Sequence, residues 1–406
     1  MQKKFLMLTA AVVFCLAAVL TAGCVSDTGT TGYVAAVDVV QIPAAQQISS
    51  LSLGTVDAMV NWQPFVAAST VSGIGKVVSY SQDMPRADGG SWAEHTCCVF
   101  GANKQGLENE DLATTLTGLM LAANDYITEN PDDAAVYVAD WMYGNTDPEY
   151  GGKTVKGVDI LKASLPTIKF STEVTDTWKN SNYEFLGIQR DLGAIVKNLK
   201  STSKEETEEL IYDFTPYTAA KKILDEKSAF PTPTSGEIEI GYLLSDHDAP
   251  LFVLIKNWQY FKDNYNAYLK PVSEKAGAVD KAELYVNGEK VCNVKLVQGN
   301  GGPYLMTMLQ SNSIQFAVAG TPPFLSSIDT QTGLKILAPI MTEGSGLVVS
   351  KDAPANNWDE FVAWAKEASA SGKNLVVAIP QTNSIQDVQL KSALESANIE
   401  YKVKSV

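Results

Sequence analysis

Two histidines and a set of hydroxyl-bearing loops carry most of the chemistry available to this chain. His247 stands in Asp246-His247-Asp248-Ala-Pro, and His95 in Trp92-Ala-Glu-His-Thr-Cys97-Cys98, each in a loop beside acids. Thr321, Thr342, Ser345, Thr382 and Ser384 offer hydroxyl groups from other loops, and Asn61 and Trp62 a further amide and ring. In Gly299-Asn-Gly-Gly302 the missing Cβ atoms let backbone come close to a ligand. Such a set suits hydrogen bonding to a small polar group. It does not suit catalysis: Asp57, Glu343 and Asp387 could act as paired carboxylates, but neither a nucleophile nor a base partner accompanies them. Cys97-Cys98 lacks the C-x₂-C spacing of a metal site, and adjacent cysteines in an apolar strand read as buried. Neither a metal nor a cofactor is therefore expected.

These loops follow strands and precede helices. Glu237–Tyr242 alternates as a strand, then comes the His247 loop, then an apolar-periodic helix near Leu251–Phe261. Leu375–Ile379, the loop Pro380–Ser384 and a helix near Ile385–Ala397 repeat the unit. A second unit also occurs twice. Val294–Gln298 leads into helix Pro303–Leu309, strand Ile314–Ala319 and Gly320-Thr-Pro-Pro-Phe324. Val37–Gln41 leads into helix Ala44–Leu53, strand Val56–Val60 and Asn61-Trp-Gln-Pro-Phe65. One block is thus contiguous, from Glu237 to Phe324, while the other has its first half at the C-terminus and its second half at the N-terminus. Circular permutation explains this order. The intact block joins its halves through a hairpin at Asn287-Gly288, so the chain ends are expected where the second block would have that turn. Strands alternating with helices predict parallel α/β sheets.

The remaining segments fit around these blocks. Lys3-Lys4 followed by the apolar run Phe5–Gly23 reads as a signal peptide, too short for a confident membrane span. It ends in Leu20-Thr-Ala-Gly-Cys24, and Val25–Gly32 reads as a flexible tether. Residues 107–226 are mostly helical in pattern, with Asn130-Pro131 and Ser203 opening helices. Lys227–Gly236, rich in Pro and Thr, reads as a linker. The chain has 406 residues and a net charge of −15, with Arg86 and Arg190 its only arginines. Without a basic face it does not fit nucleic acid, and charge-driven adhesion to anionic lipid is disfavoured.

Several motifs together resemble extracytoplasmic solute-binding proteins of ABC importers for nitrate, sulfonate, taurine and bicarbonate, which are related to thiamine-pyrimidine binding proteins. Gly241-Tyr-Leu through Asp246-His-Asp-Ala-Pro, Gly301-Gly-Pro-Tyr-Leu, Phe316-Ala-Val-Ala-Gly-Thr-Pro-Pro and Thr342-Glu-Gly-Ser-Gly-Leu-Val-Val resemble the first lobe. Ser384-Ile-Gln-Asp-Val and Asp57-Ala-Met-Val-Asn-Trp-Gln-Pro-Phe resemble the second. The resemblance implies a permuted two-lobe, periplasmic-binding-protein-like (type II) α/β fold with extra helices on lobe 1. On that reading residues 1–23 are the signal peptide, 24–36 the tether, 37–105 the second part of lobe 2, 106–226 the helical part of lobe 1, 227–236 the linker, 237–372 the α/β part of lobe 1 and 373–406 the first part of lobe 2. The small residues before Cys24 resemble a lipoprotein signal, which implies lipidation of Cys24 and a body held outside the cell membrane. Asp246, His247, Gly302, Thr321, Thr342 and Ser345 would line a cleft from one lobe, and Thr382, Ser384, Asn61 and Trp62 from the other. The implied function is capture of a small polar or oxyanionic solute by a monomer that delivers it to an ABC permease, without catalysis. A sensory binding protein and a protein of the pyrimidine-synthase type remain as alternatives, the latter because Thr96-Cys-Cys-Val-Phe-Gly weakly resembles that family's Cys-rich motif.

Overall fold

The computed structural model describes residues 34–234, 236–331 and 333–404. Cys24, the expected signal peptide and nearly all of the expected tether lie outside the described residues. Two large sheets carry the fold. Their strands, in chain order, are β1 (Ala36–Gln41), β2 (Ala58–Trp62), β3 (Gly75–Tyr80), β4 (Cys98–Ala102), β5 (Gly236–Leu243), β6 (Ala267–Lys275), β7 (Ala278–Val286), β8 (Glu289–Gly299), β9 (Phe316–Gly320), β10 (Lys335–Pro339), β11 (Ser345–Ser350), β12 (Val376–Ile379) and β13 (Glu400–Lys404).

The sheet order is β13-β1-β12-β2-β11-β3 in one and β10-β4-β9-β5-β8-β7-β6 in the other. Strand β1 is buried along almost its whole length, as expected for a parallel strand covered on both faces, whereas β7 alternates buried and half-exposed residues. Strand β1 pairs in parallel with β12 and β13, so the two chain termini of the body share one sheet. The run β1-β12-β2-β11 repeats β8-β5-β9-β4 in pairing and direction. This is the permuted two-lobe α/β architecture.

The fourth strand of each run is antiparallel and arrives from the opposite lobe. Strand β4 follows β3 along the chain but pairs with β9 and β10, and β11 follows β10 but pairs with β2 and β3. The domain boundaries read from the sequence are corrected accordingly: residues 98–102 belong to the seven-stranded sheet and residues 345–350 to the six-stranded one. The two crossovers run side by side. Thr96 bridges Thr342 antiparallel, and the Glu343 amide donates to the His95 carbonyl at 3.2 Å.

The expected hairpin-like closure at the chain ends is also corrected. Ala36 lies beside Glu400 and Val40 beside Lys404, so β13 runs parallel to β1 and its last residues point away from the start of β1. The intact block has two strands, β6 and β7, between its helices and β8. The split block has only β13, which follows helix Ile385–Ser396 as an ordinary parallel crossover.

Helix Pro131–Tyr143 starts as its sequence signal indicates, with Pro131 opening it, and Asn109 caps helix Glu110–Glu129. Ser203 and Glu206 form a reciprocal capping box. Within the expected linker, the described residues pack on the body. Phe230 is buried against Gly118, where a Cβ would lie 2.4 Å from its ring, and its carbonyl accepts from the Asn287 side chain at 3.0 Å. Among the described residues no helix is long and apolar enough to cross a membrane.

Candidate functional site

A cavity of about 40 Å³ lies between the two sheets, walled by residues from both. At roughly 10–15 Å³ per water centre this is space for about three waters, or a solute of a few heavy atoms. Cys97, Cys98, Ser245, His247, Gly302 and Gly320 line one side, and Trp62, Gln381, Ser384 and Gln386 the other.

Three helix N-termini converge on it. Gly302 opens helix Gly302–Gln310, Gly320 caps Thr321–Thr330, and Ser384 caps Ile385–Ser396. Each terminus carries a partial positive charge, and the first and third offer orphan N–H groups, whereas at the second the Thr321 amide is spent on the Cys97 carbonyl at 2.8 Å and Pro322 and Pro323 have none. The third is held firmly: the Asp387 amide donates to the Ser384 hydroxyl at 3.3 Å, and the Asp387 carboxylate accepts from the Asn383 amide and from buried Lys391, both at 2.8 Å. Neither arginine reaches the cavity. Arg86 pairs with Asp88 and Glu184, and Arg190 is spent on the Leu199 and Thr202 carbonyls. The cavity lining contains neither arginine nor lysine.

The lobes touch around this space. Ser245 donates its hydroxyl to the Gln63 carbonyl at 2.7 Å while accepting from the His247 amide at 3.2 Å. The Gln381 side chain abuts Gly301, where a Cβ would be 2.7 Å from its oxygen.

Of the residues expected in the cleft, Trp62, His247, Gly302 and Ser384 line the cavity. The others surround it. Asn61 donates to the Ala44 carbonyl at 3.0 Å and accepts from the Trp62 amide at 2.8 Å, which orients that residue. Ser345 accepts from Gln386 at 2.7 Å and so aims it. The Thr321 hydroxyl bonds that of Thr96 at 2.8 Å, and Thr342 lies on the second crossover near the Lys169 carbonyl. Thr382 is an exposed partner of Gln41 on a neighbouring groove. Asp246 is fully buried and turns to the Ser164 hydroxyl, one carboxylate oxygen having no partner.

The cysteines depart most from expectation. They are buried, at 2% and 4% exposure, yet both line the cavity and both point at His247. Cys97 Sγ lies 3.4 Å and Cys98 Sγ 3.7 Å from the His247 Nδ1, while Nε2–H donates to the Gly344 carbonyl at 2.8 Å. Neighbours in an extended strand point to opposite faces, but β4 begins only at Cys98, and Cys97 belongs to the crossover. Burial alone would raise the Cys97 thiol, but its hydrogen bond to Cys98 and the charge of His247 pull it well below its usual value. Cys98 moves well above, through its hydrogen bond to Cys97 and then burial. Burial would lower His247, but Cys97 pushes it up to about 9. Burial raises Asp246 to about 6, against His247 and Ser164, and raises Asp248 well above the carboxylate range despite the Leu243 amide at 2.6 Å. His95 sits apart, between Ser81 and the Thr96 carbonyl against Trp92 and Phe185, and burial depresses it.

The family model described as the NMT1-like family matches residues 19–142 and 232–405. An uncharacterized protein, MJ1180, of Methanocaldococcus jannaschii is 34% identical over 130 residues, which are 32% of this chain and 83% of that protein. No solved structure matches the chain.

Proposed function

We propose that this chain, which belongs to the NMT1-like family, captures a small oxyanionic solute of the sulfonate, nitrate or bicarbonate class and hands it to a membrane ABC permease. The observation that carries the reading is the cavity of about 40 Å³, walled by three helix N-termini, those at Gly302 and Ser384 with free N–H groups, and lined by no arginine or lysine. Helix N-termini hold anions without a cationic side chain. The net charge of −15 repels anions at long range, so affinity must come from close, directed hydrogen bonds. The mechanism is closure of the two lobes, the closed state gaining contacts from both.

A thermal-shift and calorimetric screen of sulfonates, nitrate, bicarbonate and thiamine-pyrimidine precursors tests this. One small oxyanion is expected to bind saturably and unchanged. Chemical turnover of a pyrimidine precursor, or the absence of any binding, would overturn it. In Ser245→Ala the cross-lobe bond to Gln63 is lost. One neutral hydrogen bond is worth about 1 kcal/mol net, so affinity should fall roughly fivefold.

The second element of the proposal is anchoring through Cys24, which follows the small residues Ala22-Gly23. Stable attachment would need two acyl chains, since one binds only marginally. Cys24→Ala is expected to release the protein from membranes or block its processing, read by fractionation; unchanged retention would mean an uncleaved signal anchor instead.

A further inference from the structure

We propose that Cys97, Cys98 and His247 form a three-ligand site for a zinc-class divalent cation, with the fourth position open to the cleft. That the captured solute fills the fourth position rests on the function proposed above; binding of the ion does not.

Three observations carry the proposal. The first is distance. With metal–sulfur bonds of about 2.3 Å and metal–nitrogen bonds of about 2.0–2.1 Å at tetrahedral angles, the sulfur–nitrogen edge is about 3.6 Å. The two edges here are 3.4 and 3.7 Å, and all three donor atoms lie within 4.8 Å of one another. An ion therefore fits without rearrangement of the strand. The second is the outer partner of the histidine. A ligating imidazole donates its other N–H to a carbonyl or carboxylate, which fixes the tautomer. His247 does so to Gly344 at 2.8 Å, leaving Nδ1 to face both sulfur atoms.

The third is the opening. Three protein ligands with one free position is the arrangement of a reactive or ligand-binding zinc site rather than of a closed structural one. Here the free side is the cavity walled by Trp62, Gly320, Ser384 and Gln386. Charge is balanced as well. A divalent ion with two thiolates and a neutral imidazole sums to zero, which suits a buried site, and two protons leave on binding, one from Cys98 and one from the Cys97–His247 pair. Soft sulfur and imidazole donors select zinc-class ions over magnesium or calcium. An oxyanion could then place one oxygen on the ion and others on the helix N-termini, which supplies the cationic partner that the arginines do not.

The test uses the full chain, reduced and stripped of metal, with Cys15, Cys24 and Cys292 changed to Ser so that only the proposed thiols remain. Titration with Co²⁺ should show one equivalent bound, with a thiolate-to-cobalt charge-transfer band and tetrahedral d–d bands that Zn²⁺ abolishes. Cys98→Ser and His247→Gln should each weaken binding by more than about 100-fold, the upper end of losses caused by outer-sphere changes. Thermal melts show which variant is folded, and Cys98→Ser keeps the shape of the site if His247→Gln does not fold. An octahedral spectrum without a thiolate band would overturn the site, as would binding that survives His247→Gln or Cys98→Ser. Sulfonate, nitrate or bicarbonate added to the Co²⁺ form should shift the d–d bands. Bands unchanged by all three, in a protein that binds one of them calorimetrically, would overturn the fourth-ligand role and leave the solute-capture reading standing.

Discussion

Gly320→Val should fold normally and lose its solute. Gly320 has φ −63° and ψ 144°, extended backbone that any residue adopts. A Cβ placed there meets nothing closer than Pro323 Cδ at 3.6 Å, because it projects into the cavity. Three added carbons occupy most of a space of about 40 Å³. Overfilling a packed site costs about 1–3 kcal/mol, and here the cost falls on the bound state alone. Affinity should therefore drop roughly 5- to 150-fold, while the melting temperature of the unliganded protein stays within about 2–4 °C of wild type. Calorimetry with the solute found in the screen reads the first, and a thermal melt the second. A folded variant with wild-type affinity would place the solute elsewhere.

Gly344→Ala should do the reverse and damage the frame. Gly344 sits on the second crossover with φ +78°, where an L side chain is strained. Its Cβ would lie 2.8 Å from the His247 Nε2, 2.8 Å from Met341 Cε and 3.1 Å from Ile168 Cγ1. Backbone strain of about 1–3 kcal/mol and crowding of similar size give a loss of about 2–6 kcal/mol. At roughly 2–4 °C per kcal/mol, the melting temperature should fall by about 4–24 °C. Differential scanning calorimetry measures this directly, and a melt within two or so degrees of wild type would contradict the close packing of His247 on the crossover.

What the sequence revealed was mostly what is local. The two blocks were legible because strand, loop and helix follow one another within about 30 residues, and the loops that meet at the cavity were recognised as strand-end loops. The crossings of β4 and β11 were not legible. Cys98–Ala102 and Ser345–Ser350 are short apolar runs, and such a run looks the same in either sheet. The direction of each hydroxyl was also hidden, because it depends on distant partners. Thr321 turns to Thr96, 225 residues away, and Ser345 to Gln386, 41 residues away. Ser245, Gln381 and Gln386 stand beside residues that were singled out, and only the approach of the other lobe distinguishes them. The pairing of Cys97 with His247, 150 residues apart, leaves no spacing pattern at all.

The position of β1 has a consequence for how the protein is made. The seven-stranded sheet is complete within residues 98–339, but β1 takes both of its neighbours, β12 and β13, from the last part of the chain. Asp38 waits for Val376 and Lys402 to be synthesised. At roughly 5–20 residues per second, that wait is about 20–70 s. Through this interval Val37, Val39 and Val40, all buried in the finished protein, have no strand beside them. A nascent chain released before residue 376 would carry a finished seven-stranded sheet and an unpaired apolar strand, the kind of edge that recruits other chains. Of the described strands, the first to emerge from the ribosome is thus among the last to be seated.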